Sequence, residues 1–232
     1  MSDKNATTGG SPYRLWIDSG QPLTQELIAS VNRVCDRLED ARDNRVAVFE
    51  LVSGTSEPGA WPGEVGIHSV NRWERAVRRL ERLDAPTVAV VQGRCSGAAL
   101  ELMLAIDYRI ATPSSRFEFE RQSGIVWPSM TLYRLVQQTG LARARKLALF
   151  GGVLTAEEAQ AFDLIDEVAE NPGETLTWIL DRLATMTSSE VRIRRQLVLE
   201  AVTVSYEDAI GVHLSACDRA LRHYDKEAVG LI

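Results

Sequence analysis

The stretch 92–102, QGRCSGAALEL, constrains this chain most. It follows an apolar run, PTVAVV, and leads into LMLAI. Gly93 and Gly97 allow a tight turn after a strand and close backbone approach. The segment therefore predicts a buried strand, a turn and a helix, the repeating unit of a parallel sheet. A second nearly all-apolar run, VAVFELV at 46–52, predicts another strand covered on both faces.

The remaining pattern fits this plan. Thr24 is placed to cap a helix whose apolar positions are Leu27, Ile28, Val31, Val34 and Leu38. A Gly- and Pro-rich loop, SGTSEPGAWPGE, precedes a helix over 67–83 with Val70, Trp73, Val77, Leu80 and Leu83 on one face. Short strands are expected at 108–111, 116–119 and 164–168. Thr155 and Glu158 form a capping box, TAEE. Beyond Pro128 the pattern is otherwise helical. The expectation is an α/β core with a helical C-terminal region: a loose tail over 1–11, a core over 12–140 and helices over 141–232.

A net charge of -6 in 232 residues argues against nucleic-acid binding. No apolar run reaches membrane-spanning length, and the polar first eleven residues lack the apolar stretch of a secretory signal. Cys35, Cys95 and Cys217 lack metal or disulfide spacing, which points to reduced thiols, a cytoplasmic location and no metal.

The chemistry converges on 96–101. Ser96 stands at the N-cap position, so the Ala98 amide falls in the first helical turn. Amides there lack an intrahelical partner and face the positive end of the helix dipole, an arrangement suited to a developing oxyanion. Glu101 lies three residues on, on the same face, within an apolar segment. Burial raises such a carboxyl toward a range useful for proton transfer. The alternative is a structural ion pair with Arg94 or Arg109.

The succession VQGRCSGAALEL, DYRIATPSSRFEF, GIVWPS and LFGGVLTAEEAQAFDLIDEV resembles the crotonase (enoyl-CoA hydratase/isomerase) superfamily. The resemblance implies a crotonase-like spiral of ββα turns, a C-terminal helical trimerisation region and a homotrimer or hexamer. It implies an acyl-CoA thioester substrate with no separately bound cofactor: coenzyme A enters as part of the substrate. By position Ala98 matches one oxyanion-hole amide and Glu101 the first catalytic glutamate. The other amide falls in WPGEV, on Glu64 or, with a one-residue gap, Gly63. Counting back from Gly124 puts the second glutamate at Glu120; counting forward from Ala111 gives Arg121, and Glu118 shares the strand face of Glu120. A two-glutamate hydration needs that second acid, whereas dehydration or proton shuttling by Glu101 does not. By the same resemblance, the family's usual basic and aromatic final helix, which often helps cover the CoA nucleotide, is not expected after Arg222.

A narrower similarity, carried by WERAVRRLERL, WPSMTLYRL, IRRQLVLEA and YEDAIGVHLSACDRALR, is to the short DpgB-type proteins of 3,5-dihydroxyphenylglycine biosynthesis. It implies action beside a type III polyketide synthase, in antibiotic biosynthesis, promoting dehydration, aromatisation or release of a malonyl-CoA-derived polyketide thioester to give 3,5-dihydroxyphenylacetyl-CoA. Two other readings stay open: a non-catalytic partner that stimulates the synthase, docking through Arg72, Arg75, Arg78, Arg79 and Arg82, and an ordinary short-chain enoyl-CoA hydratase. Trp127 and Pro128 line an acyl pocket or pack in the core. His68, His213 and His223 lack a base–nucleophile context, and Cys95 reads as a small buried hydrophobe.

Overall fold

The computed structural model describes residues 12–41, 46–53, 61–119, 121–122 and 125–228, with backbone alone at 121–122, 125–126 and 223–228. In chain order the elements are β1 (Tyr13–Asp18), α1 (Gln25–Glu39), β2 (Ala47–Val52), α2 (Ile67–Glu81), β3 (Thr87–Gln92), β4 (Arg94–Cys95), α3 (Gly97–Met103), β5 (Tyr108–Ala111), β6 (Arg116–Phe119), β7 (Arg121–Gln122), β8 (Ile125–Val126), α4 (Thr131–Phe150), β9 (Gly152–Thr155), α5 (Ala156–Ala161), β10 (Glu167–Val168), α6 (Pro172–Ala184), α7 (Ser188–Ala201) and α8 (Tyr206–Ala228). They fall into two compact units, divided between Met186 and Thr187.

In the first unit β1-β2-β3-β5-β10 form one sheet in which every pairing is parallel. Alternation along β2 and β3 explains their unbroken apolar sequences. Ala47, Phe49, Leu51, Ala89 and Val91 face a core shared with α1, α2 and α3. Val48, Val88 and Val90 face the other way, against Leu176 and Ile179 of α6. Both sheet faces are thus covered, as such runs require. A second sheet, β4-β6-β9, joins β4 and β6 in parallel and β6 and β9 antiparallel.

The cap signals hold. Thr24 Oγ1 accepts the Leu27 amide at 3.1 Å, and the Thr155–Glu158 box is reciprocal, at 3.2 and 2.9 Å. The expected strand at 164–168 shortens to β10. Leu164 and Ile165 are buried in the core instead, and the Leu164 carbonyl accepts Arg109 Nη1. Among the strands with no counterpart in the sequence expectation are β1 and β9. β1 is an edge strand with Leu15 and Ile17 turned inward and Trp16 62% exposed. β9 interrupts the otherwise helical stretch because it pairs with β6, far away in sequence. Helix α4 breaks at Gly140, whose φ of 78° and ψ of 162° are not helical.

The second unit comprises α7 and α8. Thr187 Oγ1 accepts the Glu190 amide and Ser205 Oγ the Asp208 amide, each at 3.2 Å. Ile210, Leu214 and Leu221 are exposed on α8. Among the described residues, no helix is long and apolar enough to cross a membrane.

Candidate active site

The β3–β4–α3 passage builds the site. Gly93 turns the chain with φ 82°, and a Cβ there would meet Ser53 Oγ at 2.6 Å. That hydroxyl accepts the Arg94 amide. Gly97 opens α3 with φ 49°, and a Cβ on it would lie 3.2 Å from Trp61 Cβ and Cγ. Ser96 occupies the N-cap position, but its side chain does not cap: the hydroxyl donates to the Ser19 carbonyl at 3.5 Å. The Leu100 amide bonds the Ser96 carbonyl, so the Ala98 amide lies ahead of the intrahelical ladder. Ala98 is fully buried.

Glu101 is 3% exposed, and its carboxylate meets tryptophans rather than an arginine. Trp61 Nε1 donates to Oε1 at 3.0 Å, and Trp73 Nε1 to Oε2 at 2.5 Å. The two rings pack edge to face, 5.8 Å between centroids. The Ser129 side chain also favours its charged form. Burial pushes the Glu101 carboxyl above the ordinary carboxylate range. Trp73, Ser129 and Trp61 pull it back, in that order, and the charge of Glu74 adds to the rise.

Neither arginine of the alternative reading is seen to pair with Glu101. Arg94 pairs with Glu118 at 3.4 Å. The buried Arg109 guanidinium donates to the carbonyls of Ile106 (3.1 Å) and Leu164 (3.3 Å), while its amide donates to Asp166 Oδ2 at 2.8 Å. These bonds tie the end of α3 and β5 to the segment before β10. Asp107 likewise serves its own neighbourhood, since its Oδ2 accepts both the amide and the hydroxyl of Thr87, at 2.8 and 2.9 Å.

Other candidates divide. Gly63 and Glu64 are exposed in the loop that carries Trp61, and Gly63 has φ 81°. Because Trp61 packs on Gly97, this loop is anchored at the start of α3. Glu118 is held by Arg94; Glu120 lies outside the described residues, and only backbone is described at Arg121. Trp127 is half-buried against the core and Pro128 is exposed. His68 and His213 are exposed; the side chain of His223 lies outside those described. Burial pushes the Cys95 thiol up, as its reading as a small hydrophobe requires. Among the described residues no group of His, Cys, Asp and Glu could hold a metal ion.

The arginine face of α2, a docking surface in one reading, is partly ion-paired. Arg79 turns toward α1, donating to Glu39 at 2.5 Å and lying 2.7 Å from Asp36, and Arg78 bonds Glu81 at 2.6 Å. On another side of α2, Arg134 of α4, only 4% exposed, lies 3.3 Å from Glu74 and 3.5 Å from Glu81. Glu74 Oε1 also accepts the Met130 amide. This cluster fixes the start of α4, and with it Ser129, beside the helix that carries Trp73.

The sequence pattern assigns Trp73 to a core face and leaves Trp61 in a loop. The signal that links them is chemical: an indole N–H donates only, a carboxylate accepts only, and buried groups of both kinds must find partners. Spacing alone does not pair residues 40 and 28 positions apart.

Residues 68–225 match the enoyl-CoA hydratase/isomerase family. An enoyl-CoA-hydratase of Amycolatopsis orientalis is 40% identical over 90% of this chain and 95% of its own length. The chain belongs to the enoyl-CoA hydratase/isomerase family. A second A. orientalis protein, a (3,5-dihydroxyphenyl)acetyl-CoA 1,2-dioxygenase, is 26% identical over 80% of this chain but 38% of its own length. Among solved structures, an enoyl-CoA hydratase/isomerase from Marinobacter aquaeolei aligns with a TM-score of 0.78 at 17% identity, over 92% of this chain and 89% of that one. An enoyl-CoA hydratase from Bacillus anthracis gives 0.76 at 18%, over 91% and 88%. At such identities these two establish the crotonase fold.

Proposed function

We propose that this family member dehydrates a polyketide CoA thioester, acting with a type III polyketide synthase on the way to 3,5-dihydroxyphenylacetyl-CoA. The observation that carries the reading is Glu101: a buried carboxylate one helical turn beyond the Ala98 amide. The match to two A. orientalis proteins, one named for (3,5-dihydroxyphenyl)acetyl-CoA, supports the choice of acyl group.

In this proposal the thioester carbonyl oxygen sits against the Ala98 amide and an amide at Gly63 or Glu64. Glu101 takes the proton from the carbon next to the carbonyl. The electron pair of that C–H bond becomes the enolate, whose charge the amides hold. The enolate then expels the β-hydroxyl as a carbon–carbon double bond forms, and Glu101 returns the proton to the departing oxygen, releasing water. One acid suffices, which fits the engagement of Glu118 by Arg94. The carboxyl's upward displacement suits a group that must both accept and donate near neutral pH. Self-association into a trimer or hexamer belongs to the same proposal and is supported by the exposed Ile210, Leu214 and Leu221 of α8.

The test is reconstitution of a type III synthase with malonyl-CoA, with and without this protein, following 3,5-dihydroxyphenylacetyl-CoA. An increased rate of its formation supports the reading. Turnover of crotonyl-CoA with no effect on the synthase product assigns the chain to ordinary hydration instead.

A further inference from the structure

The two indoles on Glu101 have a consequence for how it handles a proton. A carboxylate offers about four lone-pair sites on its two oxygens. Trp61 occupies one on Oε1 and Trp73 one on Oε2. Indole N–H groups donate only, so they cannot turn round to accept from a protonated carboxyl. The two come from different elements, Trp61 from the loop before α2 and Trp73 from α2 itself. Trp73 is 1% exposed and Trp61 8%, so neither has room to rotate away without moving the core. The rings brace one another edge to face, and Trp61 is pressed against Gly97.

We propose that Trp61 and Trp73 are positioning residues that hold Glu101 in one rotamer and leave each of its oxygens one open acceptor site, so that its proton enters and leaves on the side away from the indoles. This rests on the reading of Glu101 as the proton carrier. The charged neighbours that bear on it are few. Glu74 of α2 acts on it directly, and Arg134 of α4, itself paired with Glu74 and Glu81, moderates that charge. On its own helix side Asp107 is occupied by Thr87, and across β4 Arg94 faces Glu118.

The experiment is indole 15N–1H NMR of the full chain across pH, the five tryptophans assigned by single Trp→Phe variants. The expected result is that the Trp61 and Trp73 signals titrate together, with one midpoint above the ordinary glutamate value of 4.5, and that Glu101→Gln abolishes the titration. Trp73→Phe removes a donor to the charged form, so the surviving Trp61 signal titrates at higher pH. The acid limb of the kcat/KM profile moves with it while KM stays unchanged. Trp61→Phe gives the same displacement read on Trp73, and serves if the first variant does not fold. Loss of kcat at every pH with an unmoved limb, or indole signals that do not share a midpoint, overturns the proposal. The NMR arm needs no turnover. Titrating indoles in a protein that acts on no acyl-CoA keep the positioning role and remove the dehydratase reading; turnover with silent indoles does the reverse.

Discussion

Trp73 donates its indole N–H to Glu101 across the gap between α2 and α3, at 2.5 Å, with both residues almost wholly buried. The bond joins the apolar stripe of one helix to the lone acid of another. It turns what would be a costly buried carboxylate into a satisfied one.

Trp73→Phe removes the donor together with the part of the buried indole that a phenyl ring does not fill. A hydrogen bond to a charged group contributes about 1.5–3 kcal/mol, and the cavity adds to it, so a loss of at least that size is expected, read as a lower urea midpoint at unchanged m-value. Trp73→Leu loses ring packing as well and falls further.

Glu101→Gln presents an amide where the carboxylate accepted on both oxygens. The Gln NH2 then confronts one indole N–H, donor against donor. A cost of about 1–3 kcal/mol for the unsatisfied group follows, measurable by denaturation near neutral pH.

The pH dependence has a definite sign. Glu101 binds its proton more tightly folded than unfolded, since burial raises its folded pKa. Between the ordinary value of 4.5 and the raised folded value, the folded state therefore carries more protons. Stability falls as pH rises through that window. Asp166, also raised by burial, adds in the same direction from its ordinary 3.8. Urea midpoints measured across this range should decline for the wild type and decline less for Glu101→Gln. An equal slope in both excludes Glu101 as the source.

Gly97→Ala puts a Cβ 3.2 Å from Trp61 on a residue with φ 49°. A non-glycine residue in that region costs about 1–3 kcal/mol. The contact also pushes Trp61 from Glu101. The expected outcome is a lower melting temperature together with changed near-ultraviolet circular dichroism from the displaced indole.

Much of this arrangement is legible in the sequence because its signals are local. Thr24, Thr155 and Glu158 cap through neighbours three residues away, and the apolar runs of β2 and β3 declare a sheet covered on both sides. The spacing of Ala98 and Glu101 puts them on one helix face, and they lie there in α3. What escapes is non-local. β9 exists through its pairing with β6, and β1 through its pairing with β2. The alternative reading of Glu101 gives it a cation as partner, because a buried acid suggests an ion pair. Arg109 instead serves backbone carbonyls, and donors of no charge hold the carboxylate.

Arg134→Met probes the support behind Ser129. It leaves Glu74 and Glu81 without their buried partner, though each keeps some exposure, 19% and 14%. The expected cost is on the order of 2 kcal/mol, below that of a fully buried pair. A double variant that also carries Glu74→Gln should recover part of it, since the stranded charge is then gone.

In the proposed reaction Glu101 carries the proton in a dehydration step on a CoA thioester. The rate at which Glu101→Gln promotes 3,5-dihydroxyphenylacetyl-CoA formation by the synthase from malonyl-CoA tests it most directly, at protein concentrations where both forms are shown to be folded. Loss of a general acid–base group predicts a stimulation reduced by about 10²-fold or more. Stimulation by the variant at the wild-type rate contradicts the claim.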